Sequence, residues 1–174
     1  MAKLILKEFR CVEETDEIGS DSPYFLVFVG DAKSGGAQSD VKLVRKDSWD
    51  NEVDSGELRT PNITVTDGFD LDLVLVALIE EDWDPDFAGV TLAMVKAWMA
   101  SAFNSLASNV STGIDNTIAN LVRDEFVKVL KQRVSNDEIL GVKRLPVEPQ
   151  SGGLLPLLKF SGDGGSYNVR FALA

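Results

Sequence analysis

The run Leu71-Asp72-Leu73-Val74-Leu75-Val76-Ala77-Leu78-Ile79 passes directly into Glu80-Glu81-Asp82-Trp83-Asp84-Pro85-Asp86-Phe87-Ala88-Gly89. An apolar run of that length, bounded by turn residues and rich in branched side chains, reads as a buried strand. Three carboxylates, Asp82, Asp84 and Asp86, then stand at alternate positions where the strand gives way to a loop. Alternation sends all three side chains one way wherever strand geometry persists. Crowded like charges are unfavourable unless a multivalent cation sits among them. Oxygen-only clusters of this kind suit Ca²⁺, which takes roughly six to eight hard oxygen ligands in a flexible geometry. A second acidic stretch, Glu13-Glu14-Thr15-Asp16-Glu17-Ile18-Gly19-Ser20-Asp21-Ser22, also lies between strand-like runs. The calcium expectation requires that the two loops meet at the same end of the fold.

Outward from that strand, the N-terminal half reads as β-structure. Strands are expected over Leu4 to Val12, with Leu4 and Leu6 on one face, and over Tyr24 to Val29, Val41 to Val44 and Ile63 to Val65. Ser34-Gly35-Gly36 and Asp67-Gly68 mark turns. After Gly89 the period changes: Leu92, Val95, Trp98, Met99, Phe103 and Leu106 recur at helical spacing. A break follows at Ser108 to Gly113. Ile114, Ile118, Leu121, Val122, Phe126, Val129, Leu130 and Val134 then define a second amphipathic helix, with Arg123, Lys128 and Lys131 toward solvent. Strands return with Ile139 to Leu145 and Leu154 to Phe160, and Ser161-Gly162-Asp163-Gly164-Gly165 turns the chain into Tyr167 to Leu173. The expectation is one mainly β domain over 1–174, an antiparallel sandwich with a helical hairpin inserted at about 90–135 and final strands at 139–174.

Composition narrows the chemistry. The chain has 174 residues, no histidine, one cysteine and a net charge of −11. Its acidity is uneven. Residues 1–90 hold 21 Asp and Glu against 8 Lys and Arg, a balance of −13, whereas residues 91–174 hold 7 against 9, a balance of +2. Nucleic acid is disfavoured as a partner, because phosphate binding needs a basic face. Without histidine there is no Ser-His-Asp or Cys-His catalysis and no His-ligated zinc, and one cysteine removes a thiolate zinc site too. Cys11, in a strand-like run, reads as a packing residue of a reducing compartment or a bacterial protein. Trp49 and Trp98 read as core residues. No apolar run approaches the roughly 18 residues of a membrane span. The first residues offer too short an apolar stretch for a signal peptide, so the expectation is a cytoplasmic protein or one exported by a signal-independent route.

The acidic loops carry a resemblance. Asp16-Glu17-Ile18-Gly19-Ser20-Asp21-Ser22-Pro23-Tyr24 is similar to the first calcium loop of the C2 domain, with Ser22 as an extra residue before the proline. Asp82-Trp83-Asp84-Pro85-Asp86-Phe87-Ala88-Gly89 resembles the third loop of that family with a shortened spacer. Between them, Ser48-Trp49-Asp50-Asn51-Glu52 is similar to the family's Pro-x-Trp-Asn-Glu segment. The resemblance covers residues 1 to about 92; the helices and the strands after Ile139 depart from the family pattern. It implies a C2-like calcium- and membrane-binding sandwich, with Asp16 and Asp21 from one loop and Asp82, Asp84 and Asp86 from the other as ligands, helped by carbonyls near Trp83 and Glu14. An EF-hand does not fit, since its sixth place would be Phe87 instead of Gly and its twelfth Ala93 instead of Glu.

Trp83 stands between two of these ligands, and its role is either insertion at a membrane interface or capping of the core. Three functions follow. The first is a Ca²⁺-dependent module docking to a phospholipid surface or a protein partner. The second is a metal-independent interaction or assembly module on the same sandwich. The third is a carboxylate hydrolase using a pair such as Glu81 with Asp21, for which no spacing singles out an acid and a nucleophile. A non-enzymatic module is the favoured expectation.

Overall fold

The structure is a computed structural model of the chain and describes all residues except 1, 16–21, 33–35, 46–52, 82–89, 109, 111–112, 135–136, 149–150 and 163. Among the described residues the elements run β1 (Ala2–Glu13), β2 (Pro23–Asp31), β3 (Gln38–Val44), β4 (Leu58–Arg59), β5 (Ile63–Phe69), β6 (Leu73–Glu80), α1 (Val90–Ala107), α2 (Asn116–Arg133), β7 (Glu138–Arg144), β8 (Leu158–Gly162) and β9 (Gly165–Leu173). One sheet has the order β4-β1-β9-β8, with β5 pairing β1 beside β4, and the other has β3-β2-β6-β7. All pairings are antiparallel. The expected sandwich with a helical insertion is therefore present. No helix among the described residues is long and apolar enough to cross a membrane.

Alternation explains the first sheet. In β1, Leu4, Leu6, Phe9 and Cys11 are buried while Arg10 and Val12 are exposed. The buried set meets Phe25, Val27 and Val29 of β2, Val74, Val76 and Leu78 of β6, and Tyr167, Val169 and Phe171 of β9. Phe9 and Phe25 meet edge to face with ring centres 5.4 Å apart, tying the sheets together. Cys11 packs here, as its sequence context implied.

The second sheet is different, because every residue of β2 and of β6 is buried. Continuous apolar runs need cover on both faces. The helices supply it. Tyr24, Leu26 and Phe28 of β2 and Leu73, Leu75, Ala77 and Ile79 of β6 pack on Val95, Met99, Phe103 and Ala107 of α1 and on Ala119, Val122, Phe126, Val129 and Leu130 of α2. The hairpin is thus a third layer of the core. Asp115 caps α2, its Oδ1 accepting from the Ile118 amide at 2.8 Å. Gly30 in β2 belongs to this contact too: a Cβ there would lie 2.7 Å from the Phe103 ring, so only glycine lets that ring lie on the strand.

A polar clasp holds α1 over the edge strand. Asp40 of β3 takes Lys42 at 2.7 Å and Lys96 of α1 at 3.2 Å. Burial works to raise the Asp40 carboxyl, but the hydrogen bonds from Lys42, Lys96 and the Val41 amide outweigh it and hold the group below the usual carboxylate range.

Several expectations shift in detail. The strand expected over Leu154 to Phe160 begins only at Leu158, Leu154 making an isolated bridge to Ala172. The two-residue β4 carries no periodic signal, being held by Phe9 and Arg10 of β1. Trp98 is half-buried at the edge of the helix-layer core, and its indole Nε1 donates to Glu125 at 2.9 Å. An indole needs a partner for its N–H, which draws it to the rim. Trp49 lies outside the described residues.

Candidate functional site

Register brings the acidic stretches to one end of the sandwich. Pro23 pairs with Glu80, Phe25 with Val44, and Glu80 with Glu138. The start of β2, the ends of β3 and β6 and the start of β7 therefore share one edge of the second sheet. The end of β1 and the β8–β9 turn face it from the first sheet, Glu13 pairing with Ser166. Glu14 and Ser55 exchange hydrogen bonds there, and Val53 returns the chain to the core.

Three sequence segments leave the described structure at this end: 16–21 after β1, 46–52 after β3 and 82–89 after β6. Together they hold nine Asp and Glu and one lysine. All five expected ligands, Asp16, Asp21, Asp82, Asp84 and Asp86, lie in two of these segments, outside the described residues, as does Trp83. The residues flanking the segments are joined through Glu81. Its amide donates to the Ser22 carbonyl at 3.2 Å, beside the first segment. Its carboxylate takes Arg45 Nη2 at 2.8 Å, beside the second. Glu81 itself adjoins the third. Ser22 and Glu81, which flank segments 16–21 and 82–89, are thus hydrogen-bonded neighbours, and the two loops themselves lie outside the described residues.

The described floor of this end is itself acidic. Glu80 is buried, and its Oε1 accepts from the Ser22 amide at 3.0 Å. It stands directly across the ladder from the half-buried Glu138. Tyr24, fully buried on the helix side, donates its hydroxyl to Asp137 Oδ2 at 2.7 Å. Burial first, and then that hydrogen bond and the charges of Asp137 and Glu81, push the Tyr24 hydroxyl far above its ordinary value of 10.0. Among the described residues, no group of three or more Asp, Glu or Cys is placed to hold a metal ion.

Tyr24 gives a direct test of this floor. Tyr24→Phe removes a hydrogen bond to a charged acceptor and is expected to lower stability by about 1.5–3 kcal/mol. A hydroxyl whose folded value is raised adds stability that is complete below the ordinary tyrosine value and is lost as pH rises through the folded one. Urea unfolding at about pH 8 and about pH 11 should thus show a larger alkaline loss for the wild type than for Tyr24→Phe. An equal loss in both would remove Tyr24 as its source.

Sequence reasoning did not find Arg45, the Tyr24–Asp137 bond or the Glu80–Glu138 pairing. Arg45 had a signal, a cation just before an acidic segment, but only the pairing of β2, β3 and β6 reveals which carboxylate it meets. Of the pair named for a hydrolase, Glu81 is held by Arg45, and Asp21 lies outside the described residues. The chain matches no protein-family model, no curated protein and no solved structure.

Proposed function

We propose that the chain is a calcium-binding C2-like module whose acidic loops take Ca²⁺ through Asp16, Asp21, Asp82, Asp84 and Asp86, and that the loaded end docks to a phospholipid surface or a protein partner. The observation that carries this is the joining of the loop flanks through Glu81, which starts two carboxylate-rich segments from hydrogen-bonded neighbours. The donor chemistry supports calcium over softer metals, since every candidate ligand is an oxygen. The excess of negative charge at this end would repel an anionic surface until calcium reduced it.

The rival is a metal-independent interaction module. It draws on Arg45 and Arg59, which pair with Glu81 and Glu57. Calorimetric titration of the full chain with CaCl₂ separates the two. Calcium binding predicts heat of binding and a rise in melting temperature, saturating at millimolar calcium or below. No heat and no rise at millimolar calcium would leave only the metal-independent module.

A further inference from the structure

The first sheet reverses the sign of the chain. Its strands β1, β4, β5, β8 and β9 hold six Lys and Arg against three Asp and Glu, a balance of +3 in a chain of −11. One face of this sheet lies in the core between the sheets, so alternate side chains turn to solvent on the other. Register lines them up. Arg10 stands opposite Leu58 of β4 and Asn168 of β9, and Asn168 stands opposite Lys159 of β8. A row Leu58–Arg10–Asn168–Lys159 thus crosses four strands, with its two cations about 10 Å apart at the usual strand spacing. Arg170 is engaged by Glu8 at 3.5 Å. Arg10 and Lys159 are exposed and make no ion pair among the described residues. Beside them Val12 and Leu58, diagonal neighbours on β1 and β4, are 50% and 42% exposed. Aliphatic side chains grouped in water beside unpaired cations mark a contact surface.

We infer that this face docks an extended acidic segment of a protein partner, its carboxylates meeting Arg10 and Lys159 and its apolar side chains resting on Val12 and Leu58. Charge complementarity sets the sign of the partner. The chain as a whole repels an anion, so attraction reaches only about a Debye length from the basic row and confines an acidic segment to it. The aliphatic side chains set its class. A phosphate backbone offers nothing to Val12 and Leu58, and Glu8 and Glu13 on the same strand repel a continuous run of phosphates. A peptide alternates its side chains, so it can set a carboxylate against each cation and an uncharged residue against each glutamate. Arg10 suits the carboxylate, since its guanidinium stays charged and pairs with it in a fixed plane. This recognition needs no metal.

The experiment is a fluorescence-anisotropy titration of the full chain, in EDTA, against a labelled peptide of Asp-Leu-Asp-Ser repeats. The proteins are the wild type, the double variant Arg10→Glu, Lys159→Glu, the variant Leu58→Ser and, as a control on the helix layer, Lys131→Glu. Wild type should bind at low salt and weaken as salt rises. The double reversal should weaken binding at least about tenfold, because like charges then face the peptide. Leu58→Ser should weaken it about threefold with the salt dependence unchanged, and Lys131→Glu by less than about twofold. The substituted positions are all exposed, so melting temperatures should stay near that of wild type. Should the double reversal not fold, Arg10→Gln, Lys159→Gln decides, with an expected loss of roughly fivefold. No binding by wild type, or equal weakening by Lys131→Glu, overturns the inference. So does an unchanged affinity in Leu58→Ser, because a bare anion site would then suffice. Tighter binding of a single-stranded oligonucleotide or of phosphatidylserine vesicles, lost in the double variant, would assign the face to phosphate instead. Sedimentation of the chain alone tests the remaining occupant: self-association that the double variant loses would make it a second copy and overturn an acidic partner. Every outcome is read without calcium, so failure here leaves the calcium proposal standing.

Discussion

Phe28→Ala is expected to lower the unfolding free energy by about 3–5 kcal/mol, the usual range for emptying a buried aromatic site. The ring is inaccessible to solvent at the centre of the helix layer's contact with β2. It meets Phe103 of α1 edge to face at 5.5 Å and Phe126 of α2 at 6.2 Å. Removing it therefore loosens both helices from the sheet at once, and rigid neighbours on three sides leave little room for collapse. The opposite side chains of β2, Val27 and Val29, belong to the core between the sheets. Damage to the helix layer should consequently be felt by the whole domain. Urea unfolding followed by both far-ultraviolet and near-ultraviolet circular dichroism is expected to show one shifted, coincident transition. Leu121→Ala, on the exposed side of α2 at 46% exposure, is the control and should change stability by no more than about 0.5 kcal/mol. A loss below about 1 kcal/mol for Phe28→Ala, or helices that melt while the sandwich persists, would mean that the hairpin is an appendage.

The second large effect concerns the proposed ligands. In calcium at about one hundred times its dissociation constant, binding to the folded state alone adds about 2.7 kcal/mol. For a domain of this size that corresponds to roughly 5–10 °C in melting temperature. The double substitution Asp82→Asn, Asp84→Asn is expected to abolish that rise. In EDTA the same substitution should raise the melting temperature slightly, because it removes two of the crowded carboxylates. The opposite signs in the two conditions are the diagnostic. A variant stabilised equally with and without calcium points to the metal-independent module, and a variant that keeps the full calcium-induced rise removes Asp82 and Asp84 from the ligand set.

Much of the architecture was legible because burial leaves a period. Leu4, Leu6, Phe9 and Cys11 announce a strand with one buried face, and Val95, Met99 and Phe103 a helix with one apolar stripe. Tyr24 to Val29 and Leu73 to Ile79 are apolar at every position, and these are the runs that the structure covers on both faces. Legibility ended where a neighbour sets the conformation. β4 is two residues long and exists through Phe9 and Arg10. Leu154 and Leu155 look like strand residues, yet they make an isolated bridge to Ala172 and a bond from the Leu155 amide to the Phe171 carbonyl in place of a strand.

The acidic end divides in the same way. Sequence by itself determined its chemistry: no histidine, oxygen donors alone, alternating carboxylates after a buried strand and a strong negative balance in residues 1–90. These are properties of composition and local spacing, and no fold alters them. Tertiary structure alone decided proximity. The pairing of β2 with β6 and with β3 makes Glu81 the residue that touches the flanks of two other acidic segments, through Ser22 and Arg45. Ser22 and Glu81 are far apart along the chain, and no local pattern specifies which strands pair across such a distance. That choice follows from burying β2 and β6 on both faces, between a second sheet on one side and the helical hairpin on the other.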